Sequence, residues 1–160
     1  VEYVKAMQPT ADFSETQLNL ALLYSDLGRW ALAEQRYQQA LALDPRSVAA
    51  MVNMADLLRQ QGDDTKGREW LARALVIAPE SASIQHAMGL LQIRQKQTEL
   101  ALPYLKKAYE YAPENTRFAY VYALALDSAD QKSAALAVLA EHLQRHPSDT
   151  AAINLQRSLQ

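Results

Sequence analysis

SETQLNLALLYSDLGRWALAEQRYQQALALDPRS, residues 14–47, is the stretch on which the reading of this chain turns. It is 34 residues long and it recurs. Pro45, Pro79, Pro113 and Pro147 stand 34 residues apart. Ala33, Gly67, Ala101 and Ala135 keep the same step, as do Ala40, Ala74 and Ala108, with His142 breaking that last row. Tyr37, Leu71, Leu105 and Leu139 keep it with a bulky apolar residue. A fixed period in this range is the mark of a stacked repeat array.

Within one copy the apolar spacing predicts two amphipathic helices. Leu18, Leu20, Leu22 and Tyr24 fall at helical intervals, and a break follows at Asp26-Leu27-Gly28-Arg29. Leu32, Ala33, Tyr37, Ala40 and Leu41 carry the second run, which stops at Asp44-Pro45. Two helices joined by so short a turn lie antiparallel. The alanines recur where backbones approach most closely. Ser47, Ser81, Asn115 and Asp149 each follow a proline by two residues and are predicted to cap a new helix through a side-chain oxygen. Asp63 or Asp64, Thr98 and Asp130 are the expected caps of the second helices. No copy buries both of its faces alone, so stability must come from neighbouring copies.

This unit resembles a tetratricopeptide repeat. Leu20, Ala21, Tyr24, Gly28, Ala33, Tyr37, Ala40 and Pro45 stand where that pattern places such residues. Gln17, Met51, Gln85 and Ala119 occupy the place where the family often has Trp, and Lys96 and Asp130 replace the turn glycines Gly28 and Gly62. The resemblance implies an all-α fold: a right-handed solenoid of four helical hairpins, with first helices lining a concave face. Its copies are 14–47, 48–81, 82–115 and 116–149, closed by a capping helix over 150–160. NMADLLRQQGD, MGLLQIRQK and FAYVYALALDSADQKSAALAVL are also similar to the repeat region at the C-terminal end of bacterial multihaem c-type cytochromes. That second likeness implies a periplasmic setting, although composition alone leaves the cytoplasm equally open and the chain has no CxxCH.

Outward from the repeats, residues 1–13 read as a separate segment. Val1–Met7 is either the last turns of an upstream helix, stopped before Pro9, or a loose end. The opening at Val1 reads as a domain cut from a longer protein. Trp70 is expected to be half-buried, and Gly89 to mark a close helix approach. Pro103 is expected to cost its helix one hydrogen bond. Six aromatics, Tyr104, Tyr109, Tyr111, Phe118, Tyr120 and Tyr122, crowd into 19 residues. They are read as a filled joint between copies three and four, with a partner patch as the alternative.

The formal charge of −2 leaves no basic footprint for nucleic acid, and no apolar run approaches a membrane span. Without cysteine there is no disulfide, thiolate metal site, catalytic thiol or haem attachment within the chain. His142 and His146 have the spacing of two metal ligands on one helix face, but no suitable third ligand accompanies them, so no metal and no cofactor is expected. No phosphate loop, HExxH or GxSxG is present, and no enzyme is expected.

The concave face is the candidate site. Projecting the repeat onto its first helices presents Asn19, Leu22 and Asp26; then Asn53, Asp56 and Arg59; then His86, Leu90 and Arg94; then Arg117, Tyr120, Leu124 and Asp127. A side-chain amide pairs with both polar groups of an extended backbone, as Asn does at this place in peptide-binding members of the family. Arg59, Arg94 and Arg117 suit a carboxylate. Leu18 and Val52 stand where the carboxylate-clamp subgroup needs lysine. The expected function is a non-catalytic interaction module taking a peptide or protein segment. The alternative is an intramolecular scaffold or oligomerisation element of a larger protein, through a second copy or a neighbouring domain.

Overall fold

The structure is a computed structural model that describes residues 10–160, with side chains from residue 13 onward. The expectation for Val1–Met7 lies outside these residues. Among the described residues the regular structure is entirely helical: α1 Thr10–Asp26, α2 Trp30–Leu43, α3 Val48–Gln60, α4 Asp64–Ile77, α5 Ala82–Arg94, α6 Thr98–Tyr111, α7 Thr116–Ser128, α8 Lys132–Arg145 and α9 Thr150–Ser158. The chain divides into two compact units between Ala78 and Pro79.

In the first unit α1 pairs with α2, α3 pairs with α4, and α2 and α1 both pack on α3. Ala21, Ala33, Tyr37, Met54, Leu57 and Leu58 form one apolar cluster, with Leu18, Tyr24 and Trp70 against its edge. Ala33 and Ala40 have no exposed surface, which lets the helices meet closely. Trp70 is half-buried as expected, with the Arg73 guanidinium 4.1 Å from its ring centroid. α1 starts four residues before the repeat boundary at Ser14. Ser14 is itself buried, its hydroxyl donating to the Ala40 carbonyl at 3.1 Å and tying α1 to the last turn of α2.

In the second unit α5 pairs with α6, α7 with α8, and α9 closes against both α8 and α7. The core gathers Ala101, Leu102, Leu105, Ala123, Ala125, Leu126, Ala135, Leu139, Ala152, Leu155 and Leu159. Gly89 lies where α5 and α6 touch: a Cβ built there would stand 2.5 Å from Leu105 Cδ2. α6 runs unbroken through Pro103. The aromatic run is mostly absorbed in packing: Tyr109 and Phe118 are buried, and Tyr109 and Tyr122 rings lie 6.3 Å apart. Tyr109 also accepts a hydrogen bond from Arg145.

All four inner turns have one geometry. Gly28 and Gly62 take φ of 69° and 84°, and Lys96 and Asp130 take 60° and 58°. In each, the next residue's N–H reaches back to a carbonyl five residues earlier: Arg29 to Tyr24, Asp63 to Leu58, Gln97 to Gln92 and Gln131 to Leu126. That 6→1 bond closes a Schellman motif, so losing glycine in copies three and four leaves the turn intact. It also moves two caps. Gln97 and Gln131, not Thr98 and Asp130, occupy the N-cap positions of α6 and α8, neither with a side-chain cap bond, because Asp130 is committed to the left-handed position and Thr98 is already helical.

The between-copy caps follow the proline step. Ser47 accepts from Ala50 N, Asn115 from Arg117 N, and Asp149 from both Ala151 N and Ala152 N. Ser81 occupies the cap of α5 without a side-chain bond. The place vacated by Trp is filled differently each time. Gln17 accepts from Arg36, Met51 is fully buried, Gln85 donates to Pro79 O at 2.8 Å, and Ala119 is sealed.

Candidate functional site

Helical periodicity sorts each first helix into a closed row and an open row. Ala21, Ala55 and Ala123 hold the closed row at a 34-residue step, with buried Gly89 between them in sequence. One position further on, Leu22, Asp56, Leu90 and Leu124 hold a row that reaches solvent.

In the first unit Asn19 is exposed, Asn53 is half-buried, and Leu22 keeps 38% of its surface. Asp56 and Arg59 are exposed and bound to each other: Arg59 Nε donates to Asp56 Oδ1 at 2.7 Å, and Gln60 donates to Oδ2 at 2.8 Å. Arg59 therefore enters any recognition already holding an acid, and a ligand carboxylate must compete for it. Beneath this face lies Tyr37, 3.5 Å from the Ser25 hydroxyl. Burial pushes its phenol up, the Ser25 contact opposes that, and the negative charges of Asp56 and Asp26 add to the rise. Tyr37 is a neutral hydrogen-bonding group under an acidic patch.

In the second unit Arg94 and Arg117 are exposed, Leu90, Tyr120 and Asp127 are half-buried, and Leu124 keeps 37% of its surface. His86 is placed differently. It is only 7% exposed, its ring stacked 4.5 Å from that of Phe118, so it forms a wall of the packing rather than an open contact. Burial, and then the nearby Arg117 charge, lower its pKa to about 4 from 6.5. Its two ring nitrogens, with Gln85 Oε1 and Gln92 Oε1, are buried without hydrogen-bond partners. The repeat phase flags the site residues, but burial of His86 depends on Phe118, 32 positions away and outside any local pattern. Gln60, which completes the Asp56 network, was not singled out; its signal is its i+4 spacing from Asp56.

His142 and His146 serve the packing. His142 has no exposed surface and stands in the alanine row, with Nε2 2.9 Å from Asp149 Oδ2. His146 stacks on it at 4.7 Å, with Nε2 3.3 Å from Glu114 Oε2. Burial works against the Asp149 charge, but hydrogen bonds from His142 and from the N–H groups of Ala152 and Ala151 outweigh it and hold the carboxyl below its usual range. Among the described residues no group of three His, Cys, Asp or Glu can hold a metal ion, and no helix is long and apolar enough to cross a membrane.

Two family models, each described as tetratricopeptide repeat, match residues 18–82 and 92–159. Comparison with the curated proteins finds no match. Among solved structures, YrrB, described as a TPR protein with an unusual peptide-binding site, is 21% identical at a TM-score of 0.75, with 99% of this chain and 82% of that one covered. PilF of Pseudomonas aeruginosa is 19% identical at 0.80, covering 95% of this chain and 69% of that one. MamA from Desulfovibrio magneticus RS-1 is 18% identical at 0.78, covering 92% and 84%. The shared fold is the all-α solenoid class of helical hairpins. The likeness to multihaem cytochromes finds no support in these matches.

Proposed function

This chain belongs to the tetratricopeptide-repeat family, and from that premise we propose that it is a non-catalytic module that takes up a polypeptide segment on the open faces of its first helices. The fold is that of a protein–protein interaction module in general; the finer claim concerns which face and which residues. The observation that carries it is the open row itself. In the first unit Leu22 keeps apolar surface in water at the phase at which Asp56 stands, and Asn19 and Arg59 are exposed on the same first helices; in the second unit Leu90 and Leu124 hold that phase, and Arg94 and Arg117 are exposed on theirs. Scattered leucines need no explanation, but leucines repeated at one phase beside amides and guanidinium groups match a segment with apolar side chains, free backbone polar groups and acidic residues. Tyr120 and Asp127 flank this face in the second unit, and Asn53 in the first. His86, packed on Phe118 next to Arg117 in sequence, stands behind this face rather than on it. YrrB, described as having a peptide-binding site, has the same fold.

The test is selection of binders from a displayed random-peptide library, followed by Arg117→Glu and Asn53→Ala in turn. Each variant should keep the helical circular dichroism of the parent; Arg117→Glu should weaken the selected peptides by at least about tenfold, the loss of one charge-assisted hydrogen bond, and Asn53→Ala by about three- to tenfold, the loss of a neutral one. Selected peptides that bind both variants as tightly as the parent would place recognition elsewhere.

A further inference from the structure

His86 carries chemistry that the packing of the second unit leaves unused. It stands at the 34-residue step with Leu18, Val52 and Tyr120, one turn before the open-row Leu90 on α5. Leu18 and Val52 fill that place in the first unit with nothing polar to satisfy. Here an imidazole fills it, 7% exposed and laid against the Phe118 ring, with both ring nitrogens buried and without a hydrogen-bond partner among the described residues. A neutral imidazole carries one N–H and one lone pair, so a donor and an acceptor both go unanswered. That burial costs the fold stability that an aliphatic side chain would keep. Burial, and then the charge of Arg117, keep the ring neutral. Among the described residues Arg117 of α7 is the one charge that acts on the ring; Arg94, two turns along α5, and the charged side chains of α6 do not move it. Arg117 is exposed and, unlike Arg59, is held in no ion pair among the described residues.

Building on docking at the first-helix faces, we infer that Arg117 in front and His86 behind it form the acid-accepting subsite of the second unit, and that a carboxylate seated there is taken up together with a proton on His86. The occupant is the side-chain carboxylate of an acidic residue flanked by apolar ones, since Leu90 and Leu124 hold the open row on α5 and α7. The guanidinium draws the carboxylate in through charge-assisted hydrogen bonds. The carboxylate then cancels the positive charge that works against the imidazolium, and it does so beside a ring shielded from water, where a charge acts at greater strength. The proton comes from solvent and adds to the free lone pair of the ring; no other bond forms or breaks. The sign follows. The free protein keeps His86 neutral between pH 7 and pH 5, whereas the complex protonates it within that range, so acidic segments bind more tightly as pH falls. A neutral segment lacks the charge that makes the second proton site, and its affinity has no such trend.

NMR on the full chain reads this with two blocked pentapeptides, acetyl-Ala-Leu-Glu-Leu-Ala-amide and its Gln counterpart, followed through the amides of α5 and α7 and the ring protons of His86. With the Glu peptide the midpoint of His86 titration should rise by at least about one pH unit. Its affinity should strengthen about three- to fivefold from pH 7 to pH 5, above the range in which the peptide's own acid takes up a proton. The Gln peptide should show neither effect. His86→Leu, with helical circular dichroism retained, should bind the Glu peptide without a pH trend. A His86 midpoint that the Glu peptide leaves unmoved while the amides of Leu90 and Leu124 shift would overturn the subsite and leave the docking face standing. The same pH trend for the Gln peptide or for His86→Leu would also overturn it. A Glu peptide that moves no amide of α5 or α7 would overturn the subsite alone, because library-selected peptides decide the docking face independently.

Discussion

Replacing Gly89 with alanine adds one methyl group where α5 meets α6. The new carbon would lie 2.5 Å from Leu105 Cδ2, 2.6 Å from its Cγ and 3.4 Å from its backbone nitrogen. Carbon atoms pack best at about 3.5–4.0 Å, so roughly 1 Å of room is missing. Leu105 has no exposed surface and is held among Ala101, Ala135 and Leu139, so its side chain has no open direction to turn. Overpacking of this kind costs about 1–3 kcal/mol, and the better helix propensity of alanine returns about 1 kcal/mol. The expected net loss is up to about 2 kcal/mol, which in a chain of this length lowers the melting temperature by up to about 8 °C. Urea unfolding followed by circular dichroism measures it. Gly67→Ala is the control: its new carbon would meet Ala55 O at 3.2 Å, and its row carries fully buried alanines at Ala33, Ala101 and Ala135. That variant should change stability by less than about 0.5 kcal/mol, contact and propensity offsetting each other. Leu105→Ala should couple to Gly89→Ala, the double variant losing at least about 1 kcal/mol less than the two singles added. A Gly89→Ala protein more stable than the parent, or strict additivity with Leu105→Ala, would refute the close approach.

Three further predictions rest on other features. Lys96→Gly and Asp130→Gly should each stabilise the chain by about 1 kcal/mol, since both residues hold a positive φ that costs an L side chain that much; Gly28→Ala should destabilise by a similar amount, there being no contact to gain at that site. Asp149→Ala should cost about 2–3 kcal/mol in chemical denaturation, because it removes the α9 cap and leaves the sealed His142 without its partner, while Ser81→Ala should cost less than about 0.5 kcal/mol, there being no side-chain bond to lose. His86 has a folded pKa of about 4, below its ordinary 6.5, so the unfolded chain takes up the proton first. Its contribution is full above about pH 6.5 and lost as pH falls towards 4, up to about 3 kcal/mol in that window. His86→Leu should flatten that part of the stability profile, and the His86 ring protons should titrate near pH 4 by NMR.

Much of the fold was legible because a 34-residue period repeats its own instructions. The alanine rows, the proline stops and the caps at Ser47, Asn115 and Asp149 each say the same thing several times. What escaped was set by geometry rather than residue type. Lys96 and Asp130 look like a broken turn until the backbone bonds of the Schellman motif are seen, and those bonds need a positive φ more than they need glycine. The same motif shifts the α6 and α8 caps to Gln97 and Gln131, residues with no capping reputation. At the candidate site, phase alone separates the open row from the closed one, so Leu22, Asp56 and Arg59 fall where a helical projection places them. It does not foresee that Asp56 and Arg59 spend their charges on each other, or that Phe118 covers His86. Those outcomes depend on side chains meeting in space, and no spacing rule encodes them.

The most direct test of docking on the first-helix faces is a residue-resolved one. Backbone amide shifts of the labelled chain, recorded by NMR during titration with a library-selected peptide, should move along α1, α3, α5 and α7 at and beside Asn19, Asn53, Leu90, Arg117 and Leu124, and stay still along the exposed sides of α2, α4, α6 and α8. Shifts confined to the second helices of each pair, with the first helices unmoved at saturation, would contradict it.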